Sequence, residues 1–232
     1  MAIRRIFLAL CMALSALPIT AHCAPAWPDT PLGRTQVLAL IETLNADLLS
    51  HDSATLTLER WCSAHHMASP AKVTATRVRG ADKPLPEDLR SALGAAADEP
   101  IAYRRVQLAC GRHVLSEADN WYLPKRLTPA MNAALNGTDT PFGKVVQPLH
   151  FHRATLSARL LWSPLLEGWE MSPPAPSRTG KLAIPHRLLQ HRAILAAADA
   201  QPFSAVVETY TDEILAWPHD ISLKQTKTKN GL

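Results

Sequence analysis

At 232 residues the chain is long enough for one sizeable domain with appendages. Apolar residues make up 47% and charged residues 19%, an ordinary globular balance that excludes a disordered or fibrous chain. The formal net charge of +4 falls to +2 once the first 23 residues, with Arg4 and Arg5, are set aside, and so small a surplus does not suggest nucleic-acid binding by bulk electrostatics.

The opening stretch "MAIRRIFLALCMALSALPITAHC" has two arginines, an apolar run from Ile6 to Ile19, and small residues at its exit. That is the layout of a secretory signal peptide over residues 1–23, with cleavage after Ala21 or Cys23. An uncleaved membrane anchor is the alternative, but the run is shorter than the ~20 apolar residues a span takes. The expectation is an exported, periplasmic or secreted protein with no membrane attachment after cleavage. Two cysteines, Cys62 and Cys110, then lie inside the mature domain. An oxidising compartment would let them pair, and two separate buried thiols are the other outcome. The expectation carried forward is the disulfide.

Residues 24–34 form a Pro-rich leader, and a domain is expected over 35–218. From Thr35 to Leu49 the apolar positions Val37, Leu38, Ile41, Leu44 and Leu48 recur at helical spacing. Asp52 or Ser53 can cap a second short helix, "ATLTLERWCSA". "AKVTATRVRG" reads as a strand, and "KPLPEDLRSALGAAADEP" as a loop with about one helical turn. "IAYRRVQLAC" and "HVLSEADNWYLP", joined by Gly111 and Arg112, read as a hairpin. "LTPAMNAALNG" is a helix capped by Thr128, with Pro129 in its first turn. "TDTPFGKVVQP" reads as a tight loop leading into a strand, and "HFHRATLSARLLW" as strand-like. A Pro-rich segment leads to a last hairpin, "IPHRLLQHRAILAA" with "FSAVVETYTDEILAW", and residues 219–232 are a basic flexible tail. Strands in antiparallel runs with helices between them give an α+β class.

The strand at 101–110 poses a problem. Arg104 and Arg105 are adjacent, and a strand sends neighbours to opposite faces, so one must point inward. A buried guanidinium needs a partner. Either Arg105 or Arg104 can be the inward one, and the partner can be a ligand or an acid across the sheet. "HFHR" also puts His150 and His152 two apart on one strand face, which alone is too little for a metal site, and none is expected.

From about Asp52 to Trp217 the chain resembles the chorismate pyruvate-lyase family, through "SATLTLERWC", "YRRVQLACG", "YLPKRL", "NGTDTPFGK" and "VVETY" in that order. The resemblance implies a six-stranded antiparallel sheet with helices on one face and a buried ligand cavity. It also implies cleavage of chorismate, or a related enolpyruvyl ring acid, to 4-hydroxybenzoate and pyruvate, with no cofactor. By the same resemblance the ligand-holding arginine falls on Arg105, five residues ahead of Cys110, and the site acid on Glu208. The turn whose backbone amide faces the ligand falls on Phe142 and Gly143, and a ligand-facing helix position on Ala54. Arg105 and Glu208 are then the catalytic pair. Arginine's planar fork suits a carboxylate, and an acid in an apolar strand suits proton donation or hydrogen bonding. The second reading is a noncatalytic periplasmic binding protein for a small aromatic carboxylate. The expected partner is a small ring acid, with no nucleic acid, and the chain is expected to be a monomer.

Overall fold

Thr30 ends the leader by accepting a hydrogen bond from the Gly33 amide, and Pro31 takes the first turn where its missing N–H costs nothing. Helix α1 therefore runs Pro31–Leu49, burying Val37, Ile41, Leu44 and Leu48. The computed structural model describes residues 26–80 and 82–217, so the predicted signal peptide and basic tail lie outside the described residues. Ser53 caps helix α2, Ala54–Ala64, through the Leu56 amide. Strand β1, Val73–Val78, precedes helix α3, Glu87–Leu93. Strands β2, Ala102–Cys110, and β3, His113–Tyr122, follow, then helices α4, Pro129–Gly137, and α5, Phe142–Val145. Strands β4, His152–Leu160, β5, Arg187–Ala196, and β6, Pro202–Thr211, complete the chain.

These strands form one antiparallel sheet in the order β1-β2-β3-β6-β5-β4. The β2–β3 hairpin closes on Gly111 and Arg112. Gly111 has φ 55°, the left-handed conformation that a two-residue turn demands. Residues of β2 alternate strictly in burial, with Arg104, Val106, Leu108 and Cys110 inward. On that face α1 and α2 cover one half of the sheet, over Val73, Val106, Leu108 and Tyr210. The other half is covered by α4 and α5 around Tyr122, Phe142, Val206 and Phe203. Helix α3 is the exception: Leu89 and Leu93 pack on the opposite face against Trp121, Ile194 and Ala205.

Three local expectations change. "TDTPFGKVVQP" forms α5 and a following 3-10 turn, Gln147–Leu149, rather than a loop entering a strand. His150 has a left-handed backbone at the end of that turn, so it shares no strand face with His152. The Pro-rich segment is a strap across the leader, where the Leu182 amide donates to the Trp27 carbonyl at 2.7 Å and the Arg178 amide to the Asp29 carbonyl at 2.8 Å. No helix among the described residues is long and apolar enough to cross a membrane.

Candidate functional site

Between the inner face of the sheet and the N-terminal ends of α2 and α5 lies a cavity of about 40 Å3. The sheet contributes Arg104, Ala118, Asn120, Arg153, Val206 and Glu208, and the helices Ser53, Ala54, Thr55, Phe142 and Gly143. Of the residues expected at a site, Ala54, Phe142, Gly143 and Glu208 are brought together here. Gly143 serves close approach, since a Cβ there would stand 3.3 Å from Ser53 Oγ and 3.5 Å from Thr55 Oγ1.

Arg105 does not reach the cavity. It lies on the other face of the sheet, 3.5 Å from Glu117 and 3.5 Å from Asp119. Five positions separate Arg105 from the inward Cys110, an odd number, and in an unbroken strand an odd step changes faces. The inward arginine is Arg104, left as the alternative by the sequence. It is 1% exposed, and its Nη2 donates to the Thr138 carbonyl at 3.1 Å. Its Nε and Nη1 are buried without a protein partner. Burial, with Arg77 close by, lowers the pKa of this guanidinium, though arginine still keeps its proton.

Sequence reasoning missed Arg153, which enters from strand β4. Its Nη2 donates to Glu208 Oε2 at 2.5 Å, with only 4% of the Arg153 side chain and 10% of the Glu208 side chain exposed. Burial works against the Arg153 charge, but Glu208 and Tyr210 outweigh it and the net shift is upward. The Tyr210 hydroxyl donates to the same Glu208 oxygen at 3.2 Å, and burial, then Glu208, holds the phenol well above its ordinary pKa. Asp52 accepts from the Arg153 backbone amide at 2.7 Å. Arg153 could have been flagged by the signal that flagged 104 and 105, an arginine inside a strand-like run. Among the described residues no cluster of three metal-ligating side chains occurs. Cys62 of α2 and Cys110 of β2 are joined as a disulfide, their Cα atoms 6.3 Å apart.

The six-stranded antiparallel sheet over a helix-covered cavity defines the chorismate lyase-like fold. Solved structures that resemble it include the effector domain of PhnF from Mycobacterium smegmatis, with 11% identity, a TM-score of 0.43, and coverage of 70% of this chain and 90% of that one. The ligand-binding domain of a GntR-family regulator from Bordetella bronchiseptica has 15% identity, a TM-score of 0.40, and coverage of 66% and 89%. A GntR-family regulator from Enterococcus faecalis has 10% identity, a TM-score of 0.39, and coverage of 63% and 98%. Identities this low describe the fold and nothing more. No family model matches the chain. The uncharacterized protein y4mC of Sinorhizobium fredii (strain NBRC 101917 / NGR234) is 53% identical over 210 residues, 88% of this chain and 89% of that protein. The chain belongs to the same family as y4mC.

The expectation of chorismate cleavage is corrected by the geometry of the site. The arginine assigned to the substrate stands outside the cavity, on the opposite face of the sheet. The proposed catalytic pair of Arg105 and Glu208 is not assembled, because Glu208 is engaged by Arg153 on the opposite side of the sheet from Arg105.

Proposed function

We propose that the chain is a noncatalytic binding module for a small carboxylate, held in the cavity beneath α2 and α5. One observation carries this reading: Arg104 is buried with two N–H-bearing nitrogens that no protein atom satisfies. Leaving a buried donor unpaired costs ~1–3 kcal/mol, more when it is charged, and a carboxylate has the two oxygens that match the guanidinium fork. The acids already present are engaged elsewhere, Glu208 by Arg153 and Asp52 by the Arg153 amide, so neither neutralises Arg104. The first turn of α2, with Ser53, Ala54 and Thr55 lining the cavity, adds the positive end of a helix dipole. The cavity volume of about 40 Å3 suits a small acid.

Calorimetry with acetate, pyruvate and benzoate tests the reading. Arg104→Lys should weaken the acid that binds by ten- to more than a hundred-fold, the ~1.5–3 kcal/mol of one charge-assisted bidentate contact, while Arg105→Lys leaves it unchanged. A wild-type protein that binds none of the three, or an Arg104→Lys protein that binds as well as wild type, would overturn it.

We further propose that the protein is exported. Support comes from Arg4, Arg5 and the apolar run in the sequence, and from a disulfide, which suits an oxidising compartment. N-terminal sequencing of native protein should begin near Cys23 or Ala24; an intact Met1 in a cytosolic fraction refutes export.

A further inference from the structure

A second pocket, of about 250 Å3, opens at the corner of the sheet where β1 ends beside β2. Its lining is unusually basic, with Arg77, Arg79, Arg104 and Arg105 around Val78, Gly80 and Tyr103. Arg77 pairs in register with Val106, a neighbour two positions along from Arg104, so Arg77 and Arg104 project from the same face of the sheet. Like charges gathered this way repel, and the repulsion appears in the Arg104 guanidinium, whose pKa is lowered by burial and then by Arg77. Among the described residues no ion pair includes Arg77, Arg79 or Arg104. Arg105 differs, being satisfied from the other face by Glu117 and Asp119. The acid whose charge acts favourably on Arg104 is Asp139, and it makes no hydrogen bond to it.

Two of the arginines are also held in place. Arg77 Nη1 donates to the Asn136 carbonyl at 3.0 Å and Arg104 Nη2 to the Thr138 carbonyl at 3.1 Å. Both carbonyls lie at the C-terminal end of α4, where the helix leaves acceptors unpaired and its dipole favours cations. The anchoring fixes the two forks, and Nε and Nη1 of Arg104 are left without a protein partner. Arg104 stands in the wall shared by this pocket and the cavity beneath α2 and α5.

We propose that this outer pocket binds a phosphoryl group, as a second anion site distinct from the inner cavity. Arg77 and Arg79, both free of ion pairs, stand beside the shared Arg104, and this positive charge exceeds what one carboxylate in the inner cavity carries. A phosphate dianion answers it, with a charge near −2 and three or more strong acceptor oxygens. Arginine is suited to it because its fork meets two phosphate oxygens at once.

The test is calorimetry of wild type, Arg79→Ala and Arg79→Gln with inorganic phosphate at low ionic strength. Arg79 is exposed and makes no ion pair, so both variants should melt with wild type. Wild type should bind phosphate, more weakly as salt is raised, and both variants should bind it at least ten-fold more weakly, while their binding of the small carboxylate taken by the inner cavity is unchanged. No phosphate binding by wild type would overturn the proposal. So would phosphate binding that neither variant alters, since that anion would then sit in the inner cavity, out of reach of Arg79. Loss of carboxylate binding with Arg79-dependent phosphate binding intact would count against the inner cavity and leave the outer pocket standing.

Discussion

Arg104 and Arg153 reach the cavity from strands on either side of the central pair β3–β6, and their circumstances differ. Arg153 has its counter-charge built in, and removing either partner of such a buried pair leaves an uncompensated charge worth ~3–5 kcal/mol. Arg104 has a single carbonyl and an incomplete set of bonds, which is why the binding proposal rests on it. Behind this pair stands His191, fully buried, with its Nε2 2.8 Å from Asn45 Oδ1 and its ring edge-on to Tyr210. Burial, with Arg153 adding to it and Glu208 opposing it, pushes the His191 pKa down to about 4 from an ordinary 6.5. A depressed histidine pKa means that between pH 6.5 and about 4 the unfolded chain binds a proton that the native chain refuses. Stability should therefore fall as pH drops through that window, by as much as about 3 kcal/mol, and level off below it. Urea unfolding at a series of pH values measures this. His191→Gln, which keeps a donor for Asn45, should flatten the slope in that window; an unchanged slope would assign the acid sensitivity to other groups.

At the scale of elements, the site depends on how α2 sits on β2. Leu58 and Cys62 of α2 pack in the same cluster as Val106, Leu108 and Cys110 of β2, and the disulfide ties the two elements across a separation of 48 residues. In the chain-entropy model a loop of that size is worth about 4 kcal/mol. The Cys62→Ser/Cys110→Ser protein should show a lower denaturant midpoint with a loss of ~2–4 kcal/mol, and unfolded, unreduced wild type should titrate no thiol from these positions. Two free thiols in the wild type would rule the bridge out. The strands were legible as elements because each reads as an apolar or alternating run bounded by Gly or Pro. α5 was not, because it has four residues between Pro141 and Pro148, too few for helical periodicity to declare itself. The amides at its start were expected to face a ligand, and Phe142 and Gly143 do line the cavity, although through a helix turn rather than a loop.

Across the whole molecule, the two ends of the described chain meet. Trp27 from the leader lies edge-on to Trp217, ring centroids 6.5 Å apart, and Trp61 packs on Trp217 at 5.8 Å. The leader is thereby part of the main core, held from outside by the Pro-rich strap that bonds to Trp27 and Asp29. A sequence pass sees two proline-rich stretches about 150 residues apart with nothing to relate them. What the sequence by itself determined is the α+β class, the hairpins, the caps of α2 and α4, and that an arginine must point into the sheet's core. Local chemistry sufficed for these, since capping, turn formation and side-chain alternation act over a few residues. Only the tertiary structure decided which arginine that is. Ile101, just ahead of β2, and Tyr103 are apolar on one parity and Val106 and Leu108 on the other, because α3 covers one face of the sheet and α2 the opposite face. With hydrophobic residues on both faces, alternation alone could not say which side held the cavity. The packing of helices from distant parts of the chain settled it in favour of Arg104, and the same packing brought Arg153 to Glu208 across 55 residues.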